Sequence, residues 1–392
     1  MFKVNVVGSY FSVVFFFALL APFLHVFKVI HVDYLVGALS FYIGLPLVVV
    51  LTWVCVFRSS MKGMLPVSSM FFFFLLVYGV LVSFFVGGDY VDIAGNSTRL
   101  LFCIGVICLA VFQRDECIRF LAGNERLLAS LALIVLSVSV VLMYFAAAAG
   151  YSVYFGLQST VAFIPLAYGL VNRRWRFVVL SLVLIVASGK RGGMLGAFFV
   201  IFVYVGYLVF VGRIKLFLLL LALFVSFALA VYFFDLVPES ILARFSQFAS
   251  DGPIDWDRAT AGRFTEVKAV FDVLDRSPYV LIFGSGLGAV IEVGGVEDST
   301  VHFSPFGLMI AFGLPLTLII YFFMFSVFAR GIACSIVSGV VKGRHVMMWT
   351  LVFVGEFFFS FTAFTILQSY ILWMSVLAII SFSGKGGRVD RA

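Results

Sequence analysis

Charged side chains are scarce: Asp, Glu, Lys and Arg make up 11% of the 392 residues, where a water-soluble globule averages about a quarter. That deficit excludes a soluble enzyme, a disordered chain and a nucleic-acid-binding protein. A disulfide framework is missing too. The five cysteines (Cys55, Cys103, Cys108, Cys117, Cys334) fall inside apolar runs or in segments expected to face the cytoplasm. No small-x-small cleavage site follows the first apolar run, Val6 to Leu24, and that run is longer than a secretory h-region. It reads as a retained first helix. No internal repeat is visible.

What is present is apolar. Hydrophobic residues make up 64% of the chain, about 251 side chains, with a mean hydropathy of +1.19. At ~20 apolar residues per span, that supplies about twelve spans. Apolar runs separated by charges or turn residues fall at 6–27, 35–57, 65–87, 97–112, 127–149, 151–171, 176–188, 192–211, 214–234, 303–328, 346–364 and 367–383. The fourth, seventh and last are short. The expected fold is all-α: a polytopic transmembrane helical bundle of about twelve spans, forming one integral membrane domain over residues 1–392.

The net charge of +7 reflects sidedness rather than nucleic acid. With the N-terminus inside, the inner segments hold 17 of the 26 basic residues, and the short outer loops hold only Lys28, Arg99, Lys190 and Arg191. This is the positive-inside pattern. The acids run the other way, with four inside, fourteen outside, and Glu356 within a span. An even number of spans with both termini cytoplasmic follows.

Residues 235–302 form the one long polar segment, expected as an outer loop between the ninth and tenth spans. Long loops are usually functional. Pro238-Glu239-Ser240 starts one amphipathic helix. A second runs from about Arg263 to Asp275, with Phe264, Val267, Phe271 and Leu274 on one face, and Arg276-Ser277-Pro278 ends it. Gly284-Ser285-Gly286-Leu287-Gly288-Ala289 imitates a dinucleotide fingerprint, but no βαβ unit surrounds it. It reads as a glycine turn that lets backbone approach a neighbouring helix or a ligand. Asp255-Trp256-Asp257 has the oxygen donors for a divalent cation, and reads more simply as an exposed acidic turn.

A few polar residues break the rules of their surroundings. Lys190 and Arg191, within Gly189-Lys190-Arg191-Gly192-Gly193, put two cations at the outer interface; the readings are snorkelling side chains or an anion site with the glycine N–H groups. Arg263 opens a predicted helix, where a cation opposes the helix dipole and calls for a partner. Arg244 lies on the first loop helix. Arginine suits phosphate, because its planar fork donates two parallel hydrogen bonds. His302, just before Phe303-Ser304-Pro305, is the histidine beside this polar region, with a near-neutral pKa suited to general-base work. Glu356 is an acid in hydrocarbon, a candidate functional group by default, whose alternative is a buried hydroxyl or basic partner. His25, His31 and His345 are assigned no role.

In order, ASGKRGG, Arg244-Phe245-Ser246, Ala261-Gly262-Arg263, Ser277-Pro278, FGSGLG and His302 before a run with Gly307 and Gly313 resemble the bacterial O-antigen polymerase and ligase superfamily over roughly residues 185–315. Those proteins are polytopic membrane glycosyltransferases. The resemblance implies glycan transfer from an undecaprenyl-diphosphate carrier at the periplasmic face of the bacterial inner membrane, without nucleotide-sugar donor, cofactor or metal. It implies that Arg191 and Arg263 hold the lipid diphosphate, that Arg244 and Lys190 assist, and that His302 deprotonates the acceptor hydroxyl. The implied partners are the undecaprenyl-diphosphate-linked oligosaccharide, membrane lipids and a chain-length regulator. Ligases of the family often carry Asn after the histidine; Phe303 stands here, which favours a polymerase over a ligase acting on lipid A core. A secondary transporter or lipid-linked-oligosaccharide flippase, with Glu356 as proton site, is the alternative of another class. It would gather its charges at the midplane.

Overall fold

The computed structural model describes residues 6–29, 44–58, 65–149, 161–188, 191–212, 263–293, 296–298, 301, 303–362 and 366–384. In chain order the helices are α1 (Val6–Val29), α2 (Leu45–Arg58), α3 (Val67–Val86), α4 (Tyr90–Phe112), α5 (Arg114–Ala148), α6 (Phe163–Val171), α7 (Trp175–Ala187) and α8 (Arg191–Phe210). Then come α9 (Arg263–Arg276), α10 (Val280–Phe283), a ribbon of β1 (Ile291–Val293) and β2 (Val296–Asp298), α11 (Ser304–Val337), α12 (Val340–Ser360), a 3-10 turn (Ile366–Gln368) and α13 (Tyr370–Ser383). Among the described residues, five helices are long and apolar enough to cross a membrane: Val67–Val86, Tyr90–Phe112, Arg114–Ala146, Gly192–Phe210 and Ser304–Val337. The chain is an α-helical membrane protein.

Four sequence expectations are corrected. The fourth run, placed at 97–112, is a 23-residue helix begun by Asp89, whose carboxylate accepts the Val91 N–H at 2.6 Å. Arg99 therefore lies inside α4 and not in an outer loop. The fifth run begins at Arg114 rather than 127, because a charged first turn with Asp115 and Glu116 complements the helix dipole. The tenth run extends to Val337 and is broken at Gly313, with φ 79° and ψ 164°. The all-α expectation holds for the bundle, but the long polar segment also carries the antiparallel ribbon, which pairs Ile291 with Asp298 and Val293 with Val296. The helix expected from Arg263 to Asp275 is α9, ending at Arg276; the one expected from Pro238 lies outside the described residues.

The core is organised around α12. Every residue from His345 to Phe357 is buried, as expected of a helix that is hydrophobic all round, and it packs against α6, α8, α11 and α13. Gly192 and Gly196, four apart, let α8 approach closely: a Cβ at Gly196 would lie 2.7 Å from the Gly355 carbonyl. Small residues at this spacing are the usual device where helices associate by close packing. α1 is part of this core, with Phe11 buried and stacked on Phe120 of α5 at 4.7 Å.

Cross-links show which ends lie together. At one end Arg114 donates to the carbonyls of Ser381 (2.6 Å) and Gly384, closing the C-terminus of α13. At the same end Gln113 reaches Cys55 (3.2 Å). At the opposite end Tyr144 donates to Ala187 (3.0 Å), and Ile366 N–H donates to Ser304 Oγ (3.0 Å). Consecutive bundle helices thus alternate in direction. Arg58, Arg114, Arg119, Arg173, Arg174, Arg176, Lys342 and Arg344 all fall at the first, basic end.

At the opposite end the glycine turn is stitched into the break of α11. Ser285 and Gly286 N–H donate to the Ile310 (2.6 Å) and Ala311 (3.0 Å) carbonyls, acceptors the break removes from the helix ladder. Leu287 N–H reaches Gly79 (3.3 Å), Gly288 N–H reaches Ser83 Oγ (3.0 Å), and the Gly288 carbonyl accepts from Asp89 N–H (3.1 Å). The glycine-turn reading of FGSGLG holds, and its neighbours are α3, α4 and α11. Gly286 sits at φ 87°, and a Cβ there would run into Ser83. Gly286→Ala is therefore expected to destabilise the protein by about 1–3 kcal/mol from backbone strain alone, read as a lowered melting temperature in detergent. Gly123→Ala, on the exposed face of α5 with open space around it, is expected to stabilise by about 0.5–1 kcal/mol.

Candidate functional site

Three chain segments singled out in the sequence meet at the turn that follows α12. Arg263, the first residue of α9, donates through Nε to the Thr362 carbonyl at 3.3 Å. Gly192, in the first turn of α8, lies so close to Thr362 that any Cβ would collide with its hydroxyl. Phe303, ahead of α11, has its ring 6.3 Å from that of Phe361. The first turns of α8, α9 and α11 therefore converge on Phe361-Thr362, at the end away from the basic cluster. Arg191 opens α8, so its backbone belongs to this convergence. Its side chain, Lys190, Arg244, His302 and Asp255 to Asp257 lie outside what is described.

The misplaced charge of Arg263 has its partners. Nη1 pairs with the Glu266 carboxylate one turn along α9, and Nε faces a carbonyl just beyond the C-terminus of α12, the negative end of that helix. A guanidinium carries five donors, and neither of these contacts uses Nη2. The group is partly buried, its side chain 17% exposed, so it is fixed in place yet reachable.

Glu356 lies on α12 about a turn and a half before this junction and is fully buried. Of the two alternatives read in the sequence, it takes a hydroxyl partner: Ser369 Oγ donates to Oε2 at 2.5 Å, while Oε1 has no partner among the described residues. The same Ser369 oxygen accepts the Leu372 N–H at 3.0 Å and so caps α13. Glu356 thereby holds the entry to α13, directly after the 3-10 turn Ile366–Gln368.

The sequence reading missed a second feature. Asp92, Asn96 and Arg99 recur at i, i+4 and i+7 on α4, one face of a helix, and line a cavity of about 260 Å³ closed by Gly286, Leu287, Val301, Gly307 and Gln368. Arg99 Nη1 donates to Asn96 Oδ1 at 2.6 Å, and Asn96 Nδ2 donates to the Leu287 carbonyl at 2.6 Å. The spacing was visible in the sequence. A hydropathy boundary at residue 97 cuts this polar stripe in two and hides it.

At the basic end, His345 Nδ1 stands 2.9 Å from Glu125 Oε1, with the imidazole stacked on Phe382. Expected just outside the run at 346–364, His345 is instead buried in α12, where it ties that helix to α5. Among the described residues, no group of three His, Cys, Asp or Glu is placed to hold a metal ion. Compared with protein-family models, curated proteins and solved structures, the chain finds no match in any of the three.

If Glu356 serves as the acceptor that anchors Ser369, Glu356→Gln keeps the contact and Glu356→Leu removes it. The Leu variant is expected to lose about 1–3 kcal/mol, the penalty of a buried hydroxyl without its partner. The Gln variant should melt close to wild type. Thermal unfolding of the two variants in one detergent checks this.

Proposed function

We propose that this chain is a membrane glycosyltransferase, a polymerase that moves an undecaprenyl-diphosphate-linked glycan onto the next lipid-linked repeat unit. In this reading it spans a bacterial inner membrane about twelve times with both termini cytoplasmic, the basic end inside and the Thr362 junction facing the periplasm. The cation asymmetry between the two ends supports that orientation. The run at 214–234, expected from the sequence as the ninth span, lies outside the described residues; α8 ends on the basic side and α9 starts at the junction. The resemblance seen in the sequence supplies the family; the carrying observation is the convergence of the first turns of α8, α9 and α11 on Thr362. These segments bear Arg191, Arg263 and, one residue ahead of Phe303, His302.

The chemistry suits these groups. An acceptor hydroxyl attacks the anomeric carbon of the donor glycan, and a glycosidic C–O bond forms as the bond from that carbon to the diphosphate breaks. The carrier diphosphate leaves with the electron pair, and the acceptor proton passes to His302. A base at this position must lie within hydrogen-bond reach of the hydroxyl it serves. Arg191 and Arg263, assisted by Lys190 and Arg244, stabilise the charge that grows on the leaving diphosphate, the kind of fixed electrostatic contact whose loss costs about 10²- to 10³-fold in rate. At Arg263 the diphosphate engages Nη2 and competes with Glu266 for Nη1.

The second reading, a transporter or flippase, is favoured by one observation, the buried Glu356 with an oxygen that has no partner among the described residues. The two part on a single substitution, since Gln retains the Ser369 contact but exchanges no proton.

Each variant is expressed in a deletion strain, and the surface polysaccharide is read on a lipopolysaccharide gel. Arg263→Ala, Arg191→Ala and His302→Ala are each expected to leave a single repeat on the core at normal protein levels in the membrane, whereas Glu356→Gln supports full-length polymer. Rough core with accumulated lipid-linked polymer would instead mark a ligase. Full polymer from His302→Ala removes the base, and loss of polymer in Glu356→Gln alone supports the transporter.

A further inference from the structure

The cavity beside α4 has a chemistry different from that of the Thr362 junction. Among the described residues its charged side chains are one carboxylate, Asp92, and one guanidinium, Arg99, so the lining described carries no excess of either sign. A site built for a diphosphate or a metal ion would carry an excess of one sign. Here the charges alternate with carboxamides, Asn96 and Gln368, and with glycine backbone, between apolar walls that include Leu287 and Phe312. Asn96 is held on both sides, by Arg99 and by the Leu287 carbonyl, so the polar stripe is rigid. The Asp92 carboxylate and the Gln368 amide, by contrast, make no side-chain hydrogen bond among the described residues.

Fixed acceptors and donors facing each other across a small space, with apolar patches between, match a ring that presents vicinal hydroxyls and C–H faces. Concave sites that combine apolar walls with a few convergent polar groups are the usual form of small-ligand pockets. Three separate devices shape the cavity: the Asp89-capped start of α4, the glycine turn stitched to α11, and the Glu356–Ser369 contact that fixes the chain just after Gln368. Val301, whose buried side chain lines the wall, immediately precedes His302 in the chain.

We infer that this cavity is the subsite for the acceptor saccharide: it receives a neutral sugar ring, with Asp92 accepting from adjacent hydroxyls and Gln368 bonding a third. The inference rests on the proposed glycan transfer and assigns it a substrate position. It assigns the reacting parts of the two substrates to different places, the donor's diphosphate to the arginine junction and the acceptor's uncharged ring to the α4 cavity.

The test uses the full-length protein in nanodiscs. Lipid-diphosphate-linked saccharide is extracted from membranes of the deletion strain, and part of it is cleaved by mild acid to give the free saccharide. Direct binding of the free saccharide is measured by calorimetry, and transfer is measured with donor and acceptor varied separately. Wild type is expected to bind the free saccharide without competition from inorganic pyrophosphate. Asp92→Asn and Gln368→Ala should each weaken binding, and raise the acceptor concentration for half-maximal transfer, by at least tenfold, with the donor dependence unchanged. Arg263→Ala should do the reverse. Elution as a single monodisperse peak shows that the variants are folded. Transfer by wild type with no saccharide binding, displacement of the saccharide by pyrophosphate, or variants that bind as wild type would overturn the inference. Saccharide binding that depends on Asp92 and Gln368, with no transfer by wild type, would uphold the cavity and remove the glycosyltransferase reading.

Discussion

In hydrocarbon no water is present to satisfy a free backbone group, so each break in a helix needs a partner from the protein itself. The break of α11 at Gly313 frees the carbonyls of Ile310 and Ala311, and the N–H groups of Ser285 and Gly286 take them up. That exchange binds the long polar segment to the bundle. The same turn then reaches α3 through Gly79 and Ser83 and α4 through Asp89, so one stretch of five residues fixes three helices around a cavity. Three glycines of positive φ, Gly284, Gly286 and Gly313, make the close approach sterically feasible.

The second organising feature is the turn after α12. Being buried along almost its whole length, α12 carries the core to the end where the polar residues gather. From there Thr362 touches the starts of α8 and α9, and Ser304 at the start of α11 holds Ile366. Helix first turns expose unpaired N–H groups and a positive dipole end, so their convergence adds positive potential to that of Arg263 at this end. Charges at the surface with a polar cavity behind them suit a reaction carried out at the membrane face, and Glu356, tied to Ser369, takes its place as a support for the cavity wall.

Much of this was legible in the sequence. Hydropathy gave the helical membrane class, the 3.6-residue period of Phe264, Val267 and Phe271 gave α9, and the Gly284–Gly288 run gave a turn of close approach. Hydropathy failed where polar residues lie inside helices. Asp92, Asn96 and Arg99 lowered the local average, so the fourth span was started late and the cavity wall was read as loop. Arg114, Arg119 and Arg126 did the same for α5, since a helix that extends beyond the hydrocarbon keeps its backbone pattern while its side chains change character. The partner of Arg263 was anticipated in kind, because a cation at a helix start is uncomfortable there. Thr362, nearly a hundred residues away, was not, because contacts of that range leave no local period. The three-residue strands β1 and β2 are likewise too short to establish an alternation.

In the proposed reaction the two sites at this end act together to make a glycosidic bond. The most direct measurement is reconstitution of the full-length protein in proteoliposomes with lipid-diphosphate-linked saccharide, no nucleotide and no ion gradient, following both the saccharide length and the freed carrier diphosphate. A polymerase yields longer lipid-linked glycan, with one carrier diphosphate released for every linkage formed. Saccharide that crosses the bilayer at its original length, with its diphosphate bond intact, would contradict it.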